Sequence, residues 1–182
     1  MSRLAVLMLV TIVSSGAGNR VHAESKKSRA EDFKQFGSML IGRWKGDVAV
    51  LFDNPEGTEK QGDVIPRYDT FKWIADGHAI EWEFVSGSST GKTFIFYDAA
   101  NRYIRAANID SDGGYWQSII WKKNARQWGW KLTAGGLSSG KKITGEGDWI
   151  FKEGSKTLNI QGTAVVDAEQ LKTDQVYTRV NK

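Results

Sequence analysis

The fold depends on the stretch Leu40-Ile41-Gly42-Arg43-Trp44-Lys45-Gly46, in which two patterns meet. Before Gly42 the apolar residues recur at helical spacing, and after Arg43 they alternate with polar residues at strand spacing. We therefore place Trp44 at the start of a first strand. Near the other end of the chain, Tyr177-Thr178-Arg179-Val180 supplies an arginine. We expect Arg179 to lie over the Trp44 ring as a structural cation–π pair.

A short helix is predicted before the glycine. Ser28-Arg29-Ala30-Glu31 matches a capping box, in which the serine hydroxyl and the glutamate satisfy free amides at a helix start. Phe33, Phe36 and Leu40 then form one apolar stripe on a helix of about ten residues. Such a helix is not stable alone, so we expect its stripe to close one end of a barrel.

The chain after Arg43 alternates with period two and predicts an all-β fold. Turn signals recur about every ten to twelve residues, and Asp76-Gly77 and Asp112-Gly113 predict tight hairpins. We expect an antiparallel up-and-down meander closed into a barrel of about eight to ten strands, with a two-sheet sandwich as the alternative. The predicted strands are 43–52, 68–74, 78–85, 92–97, 102–109, 115–121, 127–133, 143–152, 157–166 and 174–180.

The first 23 residues are typical of a secretory signal peptide. One positive charge precedes the apolar run Leu4 to Val13, and Val21-His22-Ala23 resembles a signal-peptidase site. We expect an exported protein, periplasmic or secreted, with a mature chain beginning at Glu24. The alternative is a cytosolic N-terminal helix. The domain prediction is residues 1–23 as signal peptide, 24–39 as a basic tail and capping helix, and 40–182 as one barrel domain.

The charge of the mature chain is close to balanced. Removing Arg3 and Arg20 from 25 basic residues leaves 23 against 21 acidic ones, a net charge near +2. The basic cluster Lys26-Lys27-Ser28-Arg29 is interpreted as a solvated tail, so no nucleic-acid partner is expected. The chain has no cysteine, which excludes disulfides, a thiolate metal site and a lipid-anchored lipoprotein. No cofactor and no transmembrane segment are expected.

These motifs together resemble the lipocalin and calycin superfamily, in which a first-strand tryptophan is covered by a basic residue of the last strand. The resemblance is closer to exported bacterial lipocalin-like domains of unknown function. It rests on a strand that contains a tryptophan and ends in Asp-Gly or Asn-Gly, on a segment like Tyr97-Asp98-Ala99-Ala100-Asn101-Arg102-Tyr103-Ile104-Arg105 and on one like Asp110-Ser111-Asp112-Gly113-Gly114-Tyr115-Trp116. It covers roughly residues 38–180 and implies Trp44 and Arg179 as the structural pair. This group has no established activity, so no catalytic residues are carried over.

Aromatic residues on several strands are the first candidate for function. A small barrel lined by aromatics suits a small hydrophobic or aromatic molecule. The alternative is a filled barrel acting as a structural or protein-interacting envelope domain. The predicted ligand-binding residues are Trp73, Trp82, Phe84, Trp116 and Trp130.

A barrel enzyme is the third hypothesis. Glu81 and Glu83 could act as paired carboxylates, and His78 as an acid–base group or haem ligand, but the alternation predicts that both glutamates face water. Asp110 to Gly114 is interpreted as a hairpin because it lacks the glutamate of a calcium loop. The serines have no local histidine to activate them. No catalytic or metal-binding residue is predicted.

Overall fold

The computed structural model describes residues 26–51 and 58–180. The predicted signal peptide lies outside these residues. One helix, α1 (Ala30–Leu40), precedes ten strands and a single 3₁₀ turn at Ala75–Gly77. The strands are β1 (Gly42–Ala49), β2 (Val64–Ile74), β3 (Ala79–Ser86), β4 (Ser89–Asp98), β5 (Tyr103–Asp110), β6 (Tyr115–Lys122), β7 (Gln127–Gly136), β8 (Ile143–Lys152), β9 (Thr157–Val166) and β10 (Glu169–Val180).

The strands form one closed antiparallel barrel in chain order, with β10 pairing back onto β1. Trp44 pairs with Arg179 at this closure, and Gly46 pairs with Tyr177. The closed meander confirms the all-β prediction and excludes the two-sheet sandwich. Closure gives every strand two hydrogen-bonded neighbours, which is how a ten-strand meander avoids edge-to-edge association.

The two ends of the barrel differ. Helix α1 lies against one end, together with the β2–β3, β4–β5, β6–β7 and β8–β9 turns; this is the covered end. The β3–β4, β5–β6, β7–β8 and β9–β10 turns surround the other, open end. Successive strands alternate in direction, so each turn's place in the chain decides the end at which it lies.

Helix α1 packs against the barrel through its predicted apolar stripe. Phe33, Phe36 and Leu40 are each 2 % exposed or less, and the Phe36 ring lies 5.0 Å from that of Trp128. The helix begins one residue later than the capping box predicted. Its N-cap is Arg29, whose backbone N–H donates to the Asp32 carboxylate at 2.9 Å.

The basic cluster Lys26-Lys27-Ser28-Arg29 lies along the barrel wall, with Ser28 buried and with Lys27 and Arg29 exposed to solvent. Ser28 is buried, and its backbone N–H donates to the Arg102 carbonyl at 2.8 Å. The Lys26 ammonium lies 4.7 Å from the Trp121 ring centroid, and the Lys27 ammonium lies 4.5 Å from that of Tyr103. Cation–π contacts of this kind hold the entry segment to the outer surface.

Several strand boundaries differ from the predicted ones, among them the end of β1 at Ala49 and the start of β2 at Val64. Strand β10 begins at Glu169 and not at Asp174, because its first half alternates polar residues with few apolar ones. The turn at Asp76-Gly77 has four residues, 75–78, between the paired Ile74 and Ala79. Three of these four residues have positive φ. The Lys34 ammonium of the helix donates a hydrogen bond to the Gly77 carbonyl, and this contact holds the longer turn in place.

Aromatic side chains fill the covered half. Trp82 is the centre of this packing: its ring stacks on Phe71 at 5.2 Å and meets Trp149 edge-on at 5.6 Å. The gap lined by Trp44, Phe71 and Leu158, among others, has no room for a water-sized molecule. The covered half is therefore a packed core, as expected for small barrels filled by side chains.

Glycines make room for part of this packing. Gly147 and Gly162 pair directly across β8 and β9. A Cβ on Gly147 would lie 2.0 Å from the Gln161 carbonyl oxygen, and one on Gly162 would lie 2.7 Å from the Trp130 ring. The pair lets the two strands approach closely and lets the indole lie flat against the wall.

Candidate functional site

The open half of the barrel contains a cavity of about 600 Å³. Its apolar wall includes Val48, Ile65, Phe84, Leu137 and Val166. Its polar and charged wall includes Glu59, Arg67, Ser86, Ser89, Asp110, Asp112, Lys141, Asp167, Glu169 and Gln175. A cavity of this size and mixed lining is within the range that binds one small organic molecule.

Arg67, Asp69, Trp82 and Phe84 form what we name the floor cluster, between the cavity and the packed core. The Arg67 Cζ atom lies 3.9 Å from the Phe84 ring centroid and 5.5 Å from that of Trp82. Its Nε and Nη2 donate to the Asp69 carboxylate over 3.1 to 3.3 Å. The Trp82 indole N–H donates to Asp69 Oδ1 at 2.5 Å.

The alternation of β2 brings these charges inside. Arg67, Asp69, Phe71 and Trp73 occupy every second position, so they share the inner face. Asp69 is only 2 % exposed, and the Arg67 side chain is 16 % exposed. Charges at this depth are stable only when paired and hydrogen-bonded, which the arginine and the indole N–H provide.

The rim of the cavity holds carboxylates bound by neutral donors. Glu59 accepts hydrogen bonds from the Ser88 amide and hydroxyl, each at 2.7 Å. Asp112 accepts one from the Ser89 hydroxyl at 2.5 Å, and Asp110 one from the Gly114 amide at 2.7 Å. These bonds fix the side chains in place without neutralising their charge.

Burial and hydrogen bonding shift several pKa values here. Burial, with a smaller contribution from the neighbouring Asp112 charge, raises the pKa of Asp110. Hydrogen bonds from Ser88 lower the pKa of Glu59. Burial also raises the pKa of Tyr177, whose hydroxyl donates to Gln175 at 2.8 Å, so this phenol stays protonated.

Of the five residues predicted to bind a ligand, Phe84 lines the cavity. Trp82 belongs to the floor cluster, and Trp116 packs behind it with ring centroids 5.9 Å apart. Trp130 lies over Gly162, and Trp73 meets Phe33 of the helix at 5.5 Å. For the four tryptophans, ligand binding stays a prediction.

The predicted structural pair meets at the covered end. The Arg179 guanidinium lies 4.3 Å from the Trp44 ring centroid. Its Nη2 donates to the Met39 carbonyl at 2.5 Å, its Nη1 donates to the Ile41 carbonyl, and its Nε donates to the Ser155 carbonyl at 2.9 Å. This side chain thereby ties the end of α1 and the β8–β9 turn to β10.

The proposed acid–base residues lie away from the cavity. Glu81 and Glu83 are on the outer face of β3, where Glu81 pairs with Lys72 at 2.5 Å and with Lys92 at 3.0 Å. Hydrogen bonds from these two lysines lower the pKa of Glu81. His78 is exposed in the β2–β3 turn at the covered end. Within the described residues the cavity serines therefore have no histidine beside them.

Residues 26–51 and 58–180 hold no group of three or more histidine, cysteine, aspartate or glutamate side chains placed to bind a metal ion. No helix in the same part of the chain is long and apolar enough to cross a membrane.

Comparisons with known proteins assign no family to the chain. No family model matches the chain, and no curated protein does. Among solved structures the chain is similar to secretory abundant heat soluble protein 4 from Ramazzottius varieornatus, at 8 % identity and a TM-score of 0.46. The alignment covers 78 % of this chain and 95 % of that chain. The ten-strand barrel is compatible with a calycin-like fold, and membership of the lipocalins stays a prediction.

Proposed function

We propose that the protein binds one small organic molecule in the open half of its barrel. The observation that carries this proposal is the cavity of about 600 Å³ at the end opposite the helix. Binding sites for small molecules are concave, largely preformed and lined by apolar side chains with a few fixed polar groups.

The floor cluster supports a preformed site. Its guanidinium is held between a carboxylate and the Phe84 ring, so little conformational freedom remains to be lost when a ligand arrives. Phe84 presents an aromatic ring at the inner end of the cavity. A flat apolar body stacked against that ring is the part of the ligand that we expect to enter first.

The wall chemistry favours an amphipathic molecule over a purely apolar one. The apolar side chains Val48, Ile65 and Val166 line the same cavity as Ser86 and Gln175. A ligand with polar groups can form hydrogen bonds to these side chains, whereas a plain hydrocarbon would exclude water from them without replacing its hydrogen bonds. We therefore narrow the expected hydrophobic or aromatic ligand to one that also carries polar substituents.

A pair of valine variants tests the proposal. Val166 lines the cavity, whereas Val176 is 51 % exposed on the outer face of β10. Val166→Trp places an indole inside the cavity and narrows it, and Val176→Trp adds the same bulk outside it. We expect the fluorescence of N-phenyl-1-naphthylamine, an uncharged aromatic amine, to rise more with wild type and Val176→Trp than with Val166→Trp.

Native mass spectrometry of the protein from its own host provides a second measurement. A bound mass that is lost on denaturation and is absent from Val166→Trp supports the proposal and gives the formula of the ligand. A bare mass, together with a probe signal that Val166→Trp does not change, would overturn it.

A structural or protein-interacting domain is the second candidate function. It is favoured by the packed covered half and by exposed apolar residues on the outer wall. Ile109 and Tyr115 are 64 % and 47 % exposed and pair directly across β5 and β6. A structural or protein-interacting role is favoured if the probe does not bind and native mass spectrometry finds no bound molecule.

We also propose that the chain is exported, periplasmic or secreted. The support is the order of charge, apolar run and small residues in positions 1–23. Intact mass of the protein from its host's envelope or medium is expected to match a chain that begins at Glu24. A full-length mass in the cytosol would contradict export.

A further inference from the structure

The charges around the cavity have a sign opposite to that of the chain. The whole sequence carries a formal charge of +4. The described cavity wall holds five carboxylates, those of Glu59, Asp110, Asp112, Asp167 and Glu169, and two basic groups, those of Arg67 and Lys141. Asp69 in the floor cluster adds a sixth carboxylate, so the local balance is 6 − 2 = 4 negative charges.

Both basic groups already have a carboxylate partner. Arg67 Nη2 lies 3.1 Å from Asp69, and the Lys141 ammonium lies 3.0 Å from Asp167. An incoming anion would therefore have to compete with a buried carboxylate for the same guanidinium. Arg67 Nη1, which makes no hydrogen bond to the described residues, remains able to bind a neutral acceptor such as a carbonyl.

The other carboxylates keep their charge uncompensated. Asp110, Asp112 and Glu59 accept hydrogen bonds only from amides and hydroxyls among the described residues. Glu169 is exposed and has no ion-pair partner in that part of the structure. Clefts lined by one sign of charge concentrate ligands of the other sign.

We propose that the cavity selects positively charged organic molecules over negatively charged ones of the same shape. The proposal rests on the binding function proposed above and names the chemical class of its ligand: an organic cation whose flat apolar part reaches Phe84. Its positive group stays near the carboxylates at the rim.

Three probes with one fluorophore test this selection: dansylcadaverine is a cation, dansylamide is neutral and dansylglycine is an anion. Four net charges at about 10 Å predict that the cation binds on the order of fiftyfold more tightly than the anion at 10 mM ionic strength. We expect that ratio to fall to about fivefold at 150 mM, because the Debye length shortens to about 8 Å.

Two double variants separate the local charge from the total charge. Asp112→Asn with Glu169→Gln removes two carboxylates of the rim and is expected to lower the cation-to-anion ratio several-fold at low salt. Glu31→Gln with Asp76→Asn removes two exposed carboxylates at the covered end and is expected to leave the ratio unchanged.

The possible results distinguish the two proposals. Equal or tighter binding of dansylglycine, or equal ratios in both double variants, would overturn the charge selection and leave small-molecule binding intact. Binding of none of the three probes, together with a bare native mass, would overturn both.

Discussion

Replacing Asp69 by asparagine tests the floor cluster, because the amide keeps the shape of the carboxylate and removes its charge. The asparagine oxygen can still accept the Trp82 indole N–H, so the main loss is the ion pair with Arg67. Removing one partner of a buried pair costs about 3 to 5 kcal/mol. The Arg67 side chain is 16 % exposed, so partial hydration places the expected loss near the lower end, about 3 kcal/mol.

The assay is urea denaturation followed by tryptophan fluorescence and circular dichroism. Glu81→Gln is the matched control, because Glu81 also pairs with basic side chains but on the outer face, where Lys72 is 53 % exposed. We expect the control to lose only a small fraction of the stability that Asp69→Asn loses. Arg67→Met with Asp69→Asn removes both charges, keeps an acceptor for the Trp82 indole N–H and is expected to lose less stability than Asp69→Asn alone. If Asp69→Asn lowers the free energy of unfolding by less than about 1 kcal/mol, the claim that Asp69 and Arg67 form a buried ion pair is refuted.

Three further predictions concern the frame around the site. Arg179→Met removes three hydrogen bonds to backbone carbonyls and a cation–π contact, and we expect it to lower the free energy of unfolding by about 3 kcal/mol; no loss in urea denaturation would contradict this role. Gly147→Ala places a Cβ against the facing backbone and is expected to cost about 2 kcal/mol or more, whereas Thr144→Ala on the outer face of the same strand should change stability by less than about 0.5 kcal/mol. Hydrogen bonding from Arg105 lowers the pKa of Asp98 to about 2, below the usual 3.8, so its charged form stabilises the fold above about pH 4 and this contribution is lost as the pH falls towards 2. The difference in the free energy of unfolding between wild type and Asp98→Asn should therefore shrink as the pH falls from about 4 to about 2. A difference that stays constant over this range would contradict the assignment.

Much of the fold could be predicted from local pattern. Strands β8 and β9 have the predicted bounds 143–152 and 157–166, because apolar alternation fills their whole length. The first half of β10 could not be found this way, since its inward positions include the polar residues Glu169 and Thr173. An open cavity places polar residues at inward positions, and these residues interrupt the apolar–polar alternation by which a strand is recognised.

The candidate site was harder to predict for a geometric reason. Period two tells which face of a strand a side chain occupies, but its height along the barrel axis depends on how the strands are staggered. Trp82 and Trp116 face inward as predicted, yet Trp82 belongs to the floor cluster and Trp116 packs against the Trp82 ring. Phe84, two residues further along β3, reaches the cavity.

Sequence reasoning missed Arg67 and Asp69, although a signal existed. Both share the alternation of Phe71 and Trp73, so the pattern alone places two opposite charges on the buried face of β2. Opposite charges two residues apart on such a face can pair with each other. Their position at the boundary between a filled and an open half follows only from the closed structure.

The most direct test of the account is a ¹H–¹⁵N correlation spectrum of the labelled protein, recorded with and without dansylcadaverine. The account predicts that amide shifts concentrate at the open end, at residues such as Gly87, Gly114 and Ala168, while Gly77 and Asn101 at the covered end stay in place. Shifts concentrated around the helix, or none anywhere at saturating probe, would contradict binding in the open half of the barrel.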